Sequence, residues 1–190
     1  MNIQLPKPNF IGEKSLEQCI YERKSVRRYK NRIIGIEKIS QILWAAQGKK
    51  GEKRTVPSAG ATYPLEIYVI IKDKGLFLYK FKNHILELVN EKNLNTKLCQ
   101  AAWDQGFIKE AYLNVLICAE FVRTTLRYKE RGMRYIFIEV GHCAQNIHLE
   151  VVALGLVSVP VGAFNDEKVK HDLNLPKNIE PLYIIPIGYP

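Results

Sequence analysis

Between Arg134 and Phe164 the chain reads RYIFIEVGHCAQNIHLEVVALGLVSVPVGAF, one long helix followed by a short apolar segment that closes on a glycine. Apolar residues fall at Ile136, Val140, Cys143 or Ala144, Ile147, Val151 and Leu154, the three-and-four spacing of a helix face. A second side carries Phe137, Ala144 and Leu149. A helix with two apolar flanks belongs in the middle of a domain or in a subunit interface. Gly155 stands where a left-handed C-terminal cap is expected, and LVSVPVGAF is too short and β-rich to continue the helix. The chain then delivers Gly162 and Ala163, small residues of the kind used where main chain must approach a ligand.

With 190 residues, 47% of them hydrophobic and 25% charged, the chain buries one core, and no linker divides it. The expected organisation is a single domain over residues 1–190, with 1–13 as a Pro-containing extended arm. The first residues lack a signal-like apolar run and no stretch approaches a membrane span, so a soluble cytoplasmic protein is expected. Cys19, Cys99, Cys118 and Cys143 form no CxxC pair and read as free thiols. A net charge of +9 permits an anionic partner, and the cations gather at Arg23 to Arg32, Lys49 to Arg54 and Arg123 to Arg134.

Ser15 opens a short helix that ends in the basic knot Arg23-Lys24-Ser25-Val26-Arg27. Cations alternating with a hydroxyl supply the donors that a dianionic phosphate needs. IEKISQILWAAQ, residues 36 to 47, makes an amphipathic helix stopped by Gly48. A basic loop leads into RTVPSAGATYP, where Pro57, Gly60 and Pro64 forbid regular structure, so Pro57, Ser58, Ala59 and Gly60 form an ordered turn of small residues suited to a flat ligand. Runs at 65–72, 76–81 and 85–89 read as an antiparallel meander, a helix is expected near 94–103, and NVLICAE at 114–120 reads as a buried central strand. LYIIPIG at 182–188 is the last strand, at an edge or locally broken because of Pro186. The class is α+β.

Metal chemistry is disfavoured. Glu139 and His142 lie one helical turn apart, but a di-iron site needs a second such pair, so no metal ligand is assigned. His148, six residues on from His142, faces another side. With no zinc spacing, GxSxG, Walker loop or GxGxxG, catalysis must come from a bound cofactor.

RKSVRRY, then RTVPSAGATYPLEIYV, then RYKERGMRY leading into GHCAQNIHLEVVALGL, then VPVGAF and PLYIIPIG, together resemble the FMN-dependent nitroreductase family. More narrowly they resemble its branch of SagB-type azoline dehydrogenases. The resemblance implies a mostly antiparallel central sheet flanked by helices, in an intertwined homodimer with FMN in each of two interface sites. It implies cofactor contacts from Arg23, Lys24, Ser25 and Arg27 (phosphate and ribityl) and from Pro57, Ser58, Ala59 and Gly60 across the interface. Gly162 and Ala163 match the backbone pair near the flavin's reactive edge, and Gln105 a polar side chain facing its pyrimidine ring. Many relatives carry a basic residue beyond the last strand, whereas this chain stops at Gly188-Tyr189-Pro190, leaving Arg123, Arg127, Arg131 or Arg54 as substitutes.

The function so implied is two-electron transfer between NAD(P)H or another donor and a small organic acceptor, a quinone or nitro compound. Tyr128 and Tyr63 are candidate acid–base groups. Oxidation of azoline heterocycles in peptides is the alternative, disfavoured because Arg123 to Arg134 is a short, crowded wall for a peptide groove. Readings of another class are a non-catalytic flavin carrier, or a nucleic-acid-binding protein using the basic clusters with Tyr21, Tyr29 and Tyr128 for stacking.

Overall fold

The computed structural model describes residues 2–190. Its strands are β1 (Asn2–Gln4), β2 (Lys49–Lys50), β3 (Lys53–Arg54), β4 (Leu65–Ile71), β5 (Gly75–Lys80), β6 (Ile85–Asn90), β7 (Leu113–Ala119), β8 (Val157–Ser158) and β9 (Glu180–Gly188). The helices are α1 (Leu16–Glu22), α2 (Ile36–Gln47), α3 (Asn95–Ala101), α4 (Gly106–Glu110), α5 (Val122–Tyr128), α6 (Arg131–Ala153) and α7 (Asp166–Leu173).

Seven strands form one antiparallel sheet in the order β1-β6-β5-β4-β7-β9-β8, and β2-β3 is a separate hairpin turning at Gly51. The meander β4-β5-β6 is as expected. In β4, Leu65, Ile67, Val69 and Ile71 face the core under α2 and α6, while Tyr68 and Ile70 face the one under α3, α4 and α7. That double burial is why the central strands read as continuous apolar runs rather than alternating ones. β9 completes the centre on the β7 side. Pro186 sits in register with Asn114, and the irregularity falls elsewhere, opposite Ile117 and Cys118. Beyond β9 pair the two-residue β8, at Gly188 and Ile187, and Val161, at Ile184, with Pro186 falling between them, so the proline lies next to an edge where its missing donor costs least.

The N-terminal arm is more anchored than an extended tail. β1 pairs with β6, Leu5 is buried, and Pro6 and Asn9 are held to α2 through Ser40 and Gln41. α1 starts at a full capping box, Ser15 with Gln18, which satisfies its exposed amides. α6 begins three residues before the expected start and ends where expected, with Gly155 at φ 67. The basic stretch Arg123 to Arg134 is helical, split between α5 and α6, and packs by Gly132 against Thr124 and Thr125. All four cysteines are free and buried. No helix among the described residues is long and apolar enough to cross a membrane.

α6 is apolar on two sides, as the pattern predicts, but only one side is covered. Ile136, Val140, Cys143, Ala144, Ile147 and Val151 are buried, whereas Phe137 and Ile138 are 52% and 48% exposed.

Candidate active site

The basic knot leaves α1 in extended conformation and docks on β8. Ser25 bridges Ser158, and Val26 N–H donates to Ser158 O at 3.0 Å. Behind this contact, His148 of α6 places Nδ1 2.7 Å from the Ser158 hydroxyl, at 5% exposure. Burial first, and the Arg23 charge second, push this imidazole down to about 4. His148 is therefore neutral at pH 7, and the positive field of the knot is part of the cause.

The chain runs from β8 through Val161 to Gly162 and Ala163, both exposed. Gln105 reaches the same place: its Nε2 donates to Ala163 O at 3.1 Å and to Ala102 O at 2.9 Å. Two consecutive left-handed residues, Trp103 (φ 57) and Asp104 (φ 56), turn the chain into Gln105, and the buried pair Asn114 and Asn95 secures α3 and α4 beneath it. Phe107, two residues on, lies under the Arg27 guanidinium, 5.9 Å from ring centroid to Cζ. Through Ser25 and Val26 on β8, Arg27 over Phe107 and Gln105 on Ala163, the knot, Gln105 and the Gly162-Ala163 segment lie on neighbouring parts of one face.

The second group lies elsewhere. Pro57, Ser58, Ala59 and Gly60 pack over the first half of α6 and over α5. Gly60 (φ 57), Ala61 (φ 53) and Tyr63 (φ 46) are all left-handed, a costly concentration of strain for two side-chain-bearing residues. Several bonds hold it: Tyr63 N–H donates to Ser58 Oγ at 2.9 Å, Thr62 Oγ1 to Ala59 O at 3.0 Å, and Arg127 Nη1 to Gly60 O at 3.1 Å. Arg123 donates to Tyr63 O at 3.2 Å and is clamped by Glu66 and Glu120. Among the described residues no hydrogen bond or ring contact joins this turn to the basic knot. Along α6 the stations under each, Glu139 and His148, are separated by about 14 Å of axis.

The candidate substitutes for a C-terminal cation follow the turn rather than the knot. Arg123 and Arg127 brace it, Arg54 is sandwiched between Phe81 (3.8 Å) and Tyr63 (4.8 Å), and Arg131 is exposed at the start of α6. Within one chain none completes the knot. Tyr128 stacks edge-on against Tyr135 at 5.1 Å beside the turn.

Glu139 went unassigned in the sequence, and it is 3% exposed at the floor of a recess of about 280 Å³ beneath Pro57, Ser58 and Ala59. The signal was present: Glu139 and His148 interrupt the buried stripe of α6 with groups that apolar packing cannot satisfy. His142, by contrast, is exposed at the rim of the same recess. Among the described residues no cluster of His, Cys, Asp and Glu could hold a metal ion.

Several relatives share this architecture. A Methanocaldococcus jannaschii protein named "Putative nitroreductase" is 40% identical over 195 residues, covering 99% of this chain and 96% of its own. The crystal structure of a "putative nitroreductase" from Ralstonia eutropha JMP134 superposes with a TM-score of 0.90 at 26% identity, over 99% of this chain and 89% of that one. The microcin B17-processing protein of Escherichia coli stands further off, 24% identical over 162 residues, 78% of this chain and 59% of its own. The family profile described as "Nitroreductase family" spans residues 20–189, taking in the knot, the strained turn and the Gly162-Ala163 hairpin alike, and with these likenesses it makes the chain an oxidoreductase of the nitroreductase family.

Proposed function

We propose that the chain is an FMN-dependent oxidoreductase that moves two electrons between NAD(P)H and a small organic acceptor such as a quinone or nitro compound, working as an intertwined homodimer. The observation that carries this reading is the division of the site. One surface offers cations and bare backbone, the other a rigid turn of small residues, and the two lie apart in a single chain while α6 leaves Phe137 and Ile138 uncovered beside the turn. A second copy laid on that face would bring one chain's turn toward the other's knot.

The residues fit the cofactor. Arg23, Lys24, Ser25 and Arg27 would take its phosphate, whose two negative charges suit their alternating cations and hydroxyl. The Gly162-Ala163 backbone is open to solvent, and a Cβ at Gly162 would meet only Tyr183 at 3.7 Å, so a flat ring can approach the main chain there. Gln105 keeps its Oε1 available as an acceptor beside the same segment, since its bonds to Ala102 and Ala163 both use Nε2. Bound FMN supplies the hydride chemistry; the chain supplies charge, orientation and shelter from water. Donors aimed at a ring that gains negative charge on reduction favour the reduced state without reorganising.

The test is direct. Denaturing purified protein should release FMN in about one equivalent per chain, and rapid mixing with NADH or NADPH should bleach the bound flavin. Absence of flavin even after reconstitution would sink the reading. The likeness to the microcin-processing protein supports a second one, oxidation of peptide azolines. Flavin that neither nicotinamide reduces at millimolar concentration, but an azoline peptide does, would favour it.

A further inference from the structure

The Glu139 carboxyl is surrounded by groups that leave its charge unsettled. Its Oε1 has no hydrogen-bond partner; neither has Nε2 of Gln47, on α2, nor Nε of Arg54, on β3, although Arg54 Nη1 donates to Gln47 Oε1 at 3.1 Å. Burial pushes the carboxyl up to about 7, outweighing the Ser58 hydroxyl, the Arg54 guanidinium and the Gln47 amide, which favour the ionised form in that order. The other titratable groups around it are Tyr135 and His142 at the recess, Cys143 behind it on α6, and Tyr63, Glu66 and Arg123 beyond Arg54. None supplies a full counter-charge in contact with Oε1.

On the side of the turn, Ser58 lines the same recess as Glu139, and its hydroxyl is the first of the groups that favour the ionised carboxyl. A hydroxyl has one hydrogen and two lone pairs. Tyr63 N–H occupies one lone pair, which pins left-handed Tyr63. When Glu139 is ionised, the Ser58 hydrogen is drawn inward to the carboxylate. When Glu139 is neutral, its own O–H can donate to the second lone pair, and the Ser58 hydrogen is free to point out of the turn.

We propose that Glu139 is a positioning residue, acting through Ser58, that couples binding of a hydrogen-bond-accepting ring at the Pro57–Gly60 turn to uptake of one proton from solvent. The ring is the flavin if the function proposed above holds, and the coupling rests on that reading. The proton goes to Glu139, no covalent bond is made or broken, and the outward Ser58 O–H becomes a donor to the ligand. An ionised Glu139 would offer the ring no donor and leave a negative charge beneath it, so the accepting ligand selects the neutral form.

Calorimetric titration of the full chain, freed of flavin, with FMN near pH 8 tests this. Repeating it in buffers of different ionisation enthalpy counts protons taken up per flavin. Protons exchanged by the FMN phosphate and by the knot are common to all variants. Wild type should take up about half a proton or more beyond Glu139→Gln. Ser58→Ala should lower the count as well, and it serves alone if Glu139→Gln does not fold. Equal counts in wild type and Glu139→Gln, or in wild type and Ser58→Ala, overturn the coupling while leaving flavin binding standing. Failure of wild type to bind FMN at all overturns the functional reading and the coupling with it. A merely structural Glu139 would change affinity without changing the proton count.

Discussion

Nδ1 of His148 and the hydroxyl of Ser158 meet at 2.7 Å in the buried wedge between the end of α6 and β8. Ser158 in turn holds Val26 through its carbonyl, so one imidazole on the central helix fixes the strand against which the basic knot is laid. Because the proton is disfavoured there, the knot is built around a neutral ring.

Acid should loosen this arrangement. The folded pKa of His148, about 4, lies below the ordinary value of 6.5, so its contribution to stability is present above about pH 6.5 and is lost as pH falls through 4. A shift of this size corresponds to roughly 3 kcal/mol. His148→Gln should therefore show a flatter loss of stability between about pH 6.5 and 4 in urea denaturation. Parallel acid limbs for the two proteins would contradict it.

The Glu139 carboxyl has the opposite sign. Its folded pKa, about 7, stands above the ordinary 4.5, so the stability it contributes is complete below about 4.5 and disappears as pH rises through 7. Glu139→Gln keeps the size and removes the charge. At pH 8 it should be more stable than wild type by about 2 to 3 kcal/mol, with the difference vanishing toward pH 4.5. Chemical denaturation across that range checks both the sign and the window.

Arg23 is half-buried at the end of α1, close enough for its charge to depress the His148 imidazole, and under the proposed function its guanidinium takes the FMN phosphate. Arg23→Ala should weaken FMN binding by about 1.5 to 3 kcal/mol, with Lys24→Ala, on an exposed side chain, costing less. Fluorescence titration at fixed ionic strength measures both. Unchanged affinity in Arg23→Ala would mean that the knot serves another purpose.

What the sequence made legible were the features with strong local causes. The 3.6-residue period of α2 and α6, the runs of β4 and β7, the glycine after α6 and the strand character of Leu182 to Gly188 each follow from the residues at hand. The small helices α4, α5 and α7 and the hairpin β2-β3 were not foreseen, because elements of two to eight residues owe their form to packing rather than to propensity. Asp166–Leu173 does carry a local cue, Asn165, whose side chain accepts from Lys168 N–H at 2.9 Å. The candidate site divided the same way. The knot, the turn and the hairpin were each visible as local chemistry, while the burial of Glu139 and the Ser158 contact of His148 depend on elements far apart in the chain. A helix period states which face is apolar, not which strand will meet a polar residue at its margin.

Gly155 and Gly162 flank β8, and the backbone assigns them different duties. Gly155 is left-handed, φ 67, and ends α6, so Gly155→Ala should cost about 1 kcal/mol of stability through conformation alone, since a Cβ there meets nothing within 4 Å. Gly162 has an ordinary backbone, and an added Cβ would touch only Tyr183 at 3.7 Å. Nothing in the packing asks for glycine at 162, and under the proposed function its small size serves access to the main chain. Gly162→Val should therefore unfold within about 0.5 kcal/mol of wild type yet, under the proposed function, bind FMN about tenfold or more weakly, since its methyls would crowd the main chain that the ring is proposed to approach. Gly155→Ala should show the reverse, reduced stability with near-normal flavin affinity in the protein that remains folded. Paired urea denaturation and FMN titration on both variants decide the matter, and a Gly162→Val protein that binds FMN as wild type does would move the reactive edge of the flavin away from this hairpin.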